Sequence, residues 1–267
     1  MTVPFENDTG NIVRKLARKS LKSEKRRNLM VVIAVALASC LICFSIVMAL
    51  STRQIEKNHV EDTYEAVYTR ITEEDVSTLK GLDDFSRVGE YYMLAVEPAE
   101  QGYNASYIYC DEETMYIARD QMKLLEGRLP QKEDEVVVSR YFLSNYGADA
   151  GIGEKVMLSS ESFHGEYTVT GIMEGYKEKE VNGTSILLSK EALKGWSGYD
   201  PADYRAYVHF KNEQQMDETE LTARSREIAK EYQLEMPVMN LSYMKFYKQP
   251  VNVSMLALVA GIAVLVI

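Results

Sequence analysis

The chain has three cysteines, three histidines and one tryptophan in 267 residues. So few thiols exclude a disulfide framework. Cys40 and Cys43 form a C-x-x-C, but it lies in the middle of an apolar run. A redox or metal role needs polar surroundings that this run lacks. Cys110 stands alone. His59, His164 and His209 form no H-x-x-x-H or H-E-x-x-H, and no Cys/His cluster has zinc spacing. A G-x-S-x-G elbow, a Walker A loop and a D-x-D-x-D-G calcium loop are all missing. Gly151-Ile152-Gly153 lies between β-like pieces rather than before a helix, so it is no dinucleotide fingerprint. The expectation is a chain with no catalytic, cofactor or metal residues, not itself an enzyme. Nucleotide hydrolysis, if used, belongs to another chain.

Charge and proline are absent from residues 29–50, LMVVIAVALASCLICFSIVMAL. At about 1.5 Å per residue this run spans the ~30 Å hydrocarbon core of a bilayer. It exceeds a signal-peptide h-region and has no A-x-A-like site after it. Residues 1–51 carry eight Lys/Arg and three Asp/Glu; residues 52–250 carry 22 and 37. The basic side predicts a cytoplasmic N-terminus and an extracytoplasmic stretch over 51–250. Nucleic-acid binding by the basic patch fits this context poorly.

Ile12, Val13, Leu16, Ala17 and Leu21 recur at helical spacing, with Arg14, Lys15, Arg18, Lys19 and Lys22 between them. This predicts a basic amphipathic helix on anionic membrane lipid. Ser51–His59 is expected to continue as a helical stalk. Strands are expected at Thr63–Ile71, Arg87–Val96, Tyr103–Cys110 and Thr114–Ala118. A helix capped by Thr72 is expected to end at Gly81. Further strands are expected at Glu135–Val138, Lys155–Ser159, Tyr167–Ile172, Thr184–Leu188, Tyr204–Phe210 and Met236–Leu241. Ser139 and Ser189 each end a strand and cap a short helix, with Gly147 and Gly195 closing it. Asp217 with Glu220 forms a capping box for a helix to about Gln233. Removing the middle leaves the split βαβ pattern of a ferredoxin-like domain, so the fold class is α+β.

The acidic runs Glu73–Asp75, Asp111–Glu113 and Glu133–Glu135 read as solvated faces and turns. Tyr91, Tyr92, Tyr103, Tyr107, Tyr109 and Tyr116 crowd neighbouring strands. They read either as packed strand faces with wet hydroxyls or as a binding surface. Residues 251–267 resume an apolar run, expected to be a second membrane helix in a longer protein.

These features converge on a family. LLEGRLPQKEDEVVVS (Leu124–Ser139) resembles the E-G-R-x-P…E-V-V-V-S signature of FtsX/MacB-like ABC transporter permeases. IGEKVMLS (Ile152–Ser159) and EYTVTGIME (Glu166–Glu174) are similar to its I-G-D-x-V-x-L…F-T-V-x-G-I pattern, with Glu154 for Asp and Tyr167 for Phe. The resemblance implies a cytoplasmic segment 1–28, a transmembrane helix 29–50 and a stalk 51–62. It further implies a porter-like subdomain (63–119 and 204–241) interrupted by a β-rich sabre-like subdomain (120–203), a stalk 242–250 and a second transmembrane helix 251–267. It implies a multi-pass protein of a bacterial cell membrane, paired as a homo- or heterodimer and driven by a separate cytoplasmic ABC ATPase. The role would be mechanotransmission: export of, or resistance to, peptides or lipoproteins, or activation of a cell-wall hydrolase. Gly127, Arg128, Pro130, Gly153 and Gly171 read as structural. The alternative is a sensor ectodomain between two helices of a membrane receptor.

Overall fold

The computed structural model describes residues 10–23, 25–61, 63–99, 102–119, 121–145, 150–175, 178 and 183–248. The expected second membrane helix, 251–267, lies outside them, as does Gly147. The described residues divide into two compact units, one up to residue 55 and one from residue 56 on.

In the first unit, α1 (Gly10–Ser23) carries five Lys/Arg and no acid. Ile12, Val13 and Leu16 are exposed on it. Helix α2 (Lys25–Val60) follows. Its Lys25–Thr52 part is long and apolar enough to cross a membrane, by length and composition. The expected helical continuation through Ser51–His59 is present.

The second unit is built on a ten-stranded sheet. Strand β1 (Ala66–Ile71) leads through helix α3 (Glu73–Lys80) to β2 (Phe85–Pro98), which turns into β3 (Asn104–Cys110). At the end, β9 (Tyr204–Phe210), helix α7 (Glu218–Glu231) and β10 (Val238–Met239) complete the pattern. The sheet order β10-β1-β9-β2, antiparallel throughout, is the fourth-first-third-second order of the split βαβ fold. Strand β3 adds to that pattern on the outer side of β2.

Helix α3 begins where Thr72 accepts the Asp75 N–H and Asp75 answers on the Thr72 N–H; Asp217 and Glu220 do the same for α7. Val76 and Leu79, with Leu221, Ile228 and Ala229, are buried at helical spacing. They pack with Ala66, Tyr68, Ala206 and Val208 on one face of the sheet. On the other face Val67, Tyr91, Cys110 and Tyr207 form a second cluster with Met115 and Ile117. Gly81 and Gly195 end their helices without a left-handed turn, since neither has positive φ.

Between β3 and β9 come β4 (Met122–Gly127), β5 (Glu135–Ser139), β6 (Lys155–Ser159), β7 (His164–Gly175) and β8 (Gly183–Leu188). Helices α5 (Arg140–Asn145) and α6 (Lys190–Gly195) follow β5 and β8, each behind its serine cap. These strands extend the same sheet through a parallel β3·β8 pair, in the order β8-β5-β7-β4, with β6 beside β4 on β7.

Two expectations are corrected. Thr114–Ala118 is not a strand: Asp111 accepts the Thr114 N–H and opens helix α4 (Glu112–Ile117). Strand β4 overlaps the start of the signature stretch and is not among the expected strands; its mixed burial leaves no alternation to read.

Candidate functional site

Among the described residues no three His, Cys, Asp or Glu side chains stand together as metal ligands. His164 opens β7 on the surface. His209 Nδ1 lies 2.7 Å from Glu65 Oε1, and Glu65 Oε2 accepts the Phe210 N–H at 2.8 Å. Glu65 is fully buried; burial pushes its pKa up against the opposing effect of His209. Cys110 is buried too, and burial pushes its thiol well above the ordinary range. An inert thiol of this kind is core, not nucleophile.

The tyrosine excess is mostly interior. Tyr91, Tyr92, Tyr103 and Tyr107 are buried, Tyr109 partly so, and Tyr116 is exposed under the Arg87 guanidinium at 4.1 Å. Edge-on ring pairs Tyr92–Tyr204 and Tyr103–Phe142 stitch the core. The Tyr92 hydroxyl accepts the Asp200 N–H rather than facing water. Of these six, Tyr116 alone is exposed.

The signature residues meet at one corner, where β4, β7 and β5 adjoin. Arg128 forks onto Glu135 at 2.8 and 2.7 Å, and Glu135 also accepts the Gln131 N–H at 2.9 Å. Arg128 pulls the Glu135 carboxyl down to about 2. Glu135 is thus a buried pair member, not a solvated acid. Gly127 faces Gly171 across β4·β7. It has φ +82°, and a Cβ there would meet the Thr170 carbonyl oxygen at 2.2 Å. On Gly171 a Cβ would meet the Arg128 carbonyl oxygen at 2.8 Å. Gly153 has φ +88° at a turn with open space around it. The Arg128–Glu135 pair and the facing glycines Gly127 and Gly171 hold a tight corner.

A charged network joins the strands of the split βαβ pattern to those inserted in it. Lys190 on α6 contacts Glu73 at 2.7 Å and Glu90 at 2.6 Å; Lys194 contacts Glu73 at 3.0 Å. Lys80 reaches Asp111 at 2.9 Å. Burial works against the Lys190 ammonium, but Glu73 and Glu90 outweigh it and raise its pKa. The first acidic run is therefore part of a cross-link.

On the opposite face the same seam is hollow. A groove of about 480 Å³ is floored by Ser106 and Ser185, partners across β3·β8, and walled by Val60, Met93, Ile108 and Met122. Among the described residues no charged one lines it. Its end is formed by Tyr64, Asn240 and Ser242, where the chain enters and leaves this unit. A second hollow of about 320 Å³ shares Ser106 and Ser185 and reaches Glu178, whose carboxyl burial pushes up. Neither hollow is legible in the sequence, because strands far apart in the chain build it.

The sequence model of the MacB-like periplasmic core domain family matches residues 29–226. Two solved structures resemble the fold distantly. One is the extracellular domain of the noncanonic ABC-type transporter YknZ from Gram-positive bacteria: 15% identity, TM-score 0.47, 67% of this chain and 100% of that one. The other is the periplasmic region of MacB from Actinobacillus actinomycetemcomitans: 11% identity, TM-score 0.47, 70% of this chain and 92% of that one. No curated protein matches the chain.

Proposed function

The chain belongs to the MacB-like periplasmic core domain family and carries the extracytoplasmic domain of an ABC transporter permease of that type, and from that premise we propose that it transmits the work of a separate cytoplasmic ATPase. ATP-driven movement of the membrane helices would be passed to the outer domain as a rigid-body motion, which asks for no catalytic residue. One observation carries this reading: a single family match runs from the membrane-length helix through the outer domain, residues 29–226. The sheet running unbroken through β3·β8, stapled by Lys190, is consistent with a body that moves as one piece.

In this reading the N-terminus is cytoplasmic, α1 lies on anionic inner-leaflet lipid, and 251–267 is a second span of a multi-pass protein. Residues 63–119 and 204–241 make the porter-like part, and 120–203 the sabre-like part. The permease pairs with itself or a relative. Its output is extrusion of, or resistance to, peptides or lipoproteins, or activation of a cell-wall hydrolase; the chain is not itself an enzyme.

The test is purification from its own membranes. The expected result is a co-purifying ATP-binding protein whose ATPase activity rises when the permease is present. A chain that purifies alone and stimulates no candidate ATPase overturns the reading. Topology is checked with a membrane-impermeant thiol probe on intact cells. Lys80→Cys should be labelled and Lys15→Cys should not.

A further inference from the structure

We propose that Asn240 is a clasp that fixes the two ends of the outer domain against each other. The inference stands apart from the transport reading; it requires only that the chain enter the domain after Val60 and leave it after Asn240.

Both ends are built from backbone that needs partners. On the incoming side, Thr63 donates through N–H and hydroxyl to the Val60 carbonyl, and Arg119 holds the Glu61 carbonyl. Tyr64 N–H bonds to the Ile117 carbonyl at 3.0 Å and Glu65 N–H to the Val208 carbonyl at 3.0 Å. On the outgoing side, Asn240 opens a helical turn, Leu241–Tyr243, followed by a π turn, Met244–Lys248.

Asn240 is buried, and all four of its hydrogen-bonding groups are used. Its N–H donates to the Glu65 carbonyl at 2.8 Å, and its carbonyl accepts the Met244 N–H at 2.9 Å. Side-chain Oδ1 accepts the Tyr243 N–H at 3.2 Å, which fixes the amide orientation. Nδ2 therefore faces the Tyr64 carbonyl and donates to it at 2.9 Å. One side chain thus caps the outgoing turn and grips the incoming strand at once. Serine, threonine and aspartate are good caps, but none carries an amide donor opposite its acceptor. The double duty is what selects asparagine.

Strand β10 alone would hold this junction weakly. It is two residues long, and its partners on β1 are Ala66 and Val67. The clasp adds the next two backbone groups, on Glu65 and Tyr64, directly beside the incoming turn.

The test uses the full chain in detergent with Cys40→Ala and Cys43→Ala. Spin labels go on Asn58→Cys and Lys245→Cys, both exposed positions flanking the clasp. A control pair on Ser144→Cys and Arg226→Cys reports the body of the domain. The expected result is one narrow distance peak for the flanking pair, lost in Asn240→Ala and also in Asn240→Ser, while the control peak is kept. Asn240→Ser retains a capping hydroxyl, so a peak preserved in that variant means Asn240 only caps, and overturns the proposal. So does a broad flanking distribution in the parent chain, or loss of the control peak together with the flanking one.

Discussion

Gly127 and Gly153 separate two costs that a glycine can hide. Both have positive φ, +82° and +88°. An alanine at either position must adopt the left-handed region, at about 1–2 kcal/mol. At Gly153 that is the whole cost, because a Cβ there meets nothing within 4 Å. At Gly127 the Cβ would lie 2.2 Å from the Thr170 carbonyl oxygen and 2.8 Å from the Gly171 Cα. Both are backbone atoms, so no rotamer change relieves the contact; β4 and β7 must part. Overpacking of this kind adds about 1–3 kcal/mol. Gly153→Ala should lower the unfolding midpoint by about 2–8 °C in a domain of this size, and Gly127→Ala by about 4–20 °C. The measurement is thermal unfolding of the full chain in detergent, followed by near-UV circular dichroism and by the fluorescence of its one tryptophan, Trp196. Equal losses within about 0.5 kcal/mol would refute the reasoning, since they would mean the β4·β7 contact has slack.

Glu135 is depressed to about 2 by Arg128, from an ordinary 4.5. Its stabilising contribution is therefore full above about pH 4.5 and is lost as pH falls towards 2; Arg128→Ala should flatten the midpoint-versus-pH curve in that window. Lys190→Met leaves Glu90 buried with Lys80 at 3.8 Å as its nearest remaining cation. Lys190 is itself a third exposed, so the loss should be about 1–3 kcal/mol, below the figure for a fully buried pair, and visible in denaturant titration. Cys110 should resist maleimide at pH 8 in the folded Cys40→Ala, Cys43→Ala chain and take up one label after denaturation; labelling of the native chain would contradict its burial.

The membrane helix, the capped helices α3 and α7, and strands such as Lys155–Ser159 and Tyr204–Phe210 were legible because their signals are local. Apolar run length, a reciprocal cap and alternation all lie within a few residues. The α4 turn was misread because Thr114–Ala118 is rich in strand formers, while the deciding signal, Asp111 as cap, precedes it. The tyrosines stood open between packed strand faces and a binding surface because position along a strand does not tell which face is covered; packing is what the fold shows for most of them. Glu135 sat in an acidic run and looked solvated; its partner is seven residues back, across a loop closed by Gly127. The groove and the clasp were not legible at all. They join residues such as Tyr64 and Asn240, 176 apart in the chain, and no periodicity links such positions.

The sheet order has a consequence for how the chain is made. Strand β1 lies between β9 and β10, so both its neighbours belong to the end of the domain. At about 5–20 residues per second, the nascent chain carries β1 with both edges open for on the order of ten seconds before β9 emerges. The inserted strands appear during that wait, and β8 can already dock on β3, so the middle of the domain has partners while its beginning has none. A ribosome that stalls before Tyr204 releases a product with two open strand edges, the kind of surface that recruits other chains. A nonsense codon between β8 and β9 is therefore more hazardous than one before β1, because it leaves β1 made and unpartnered.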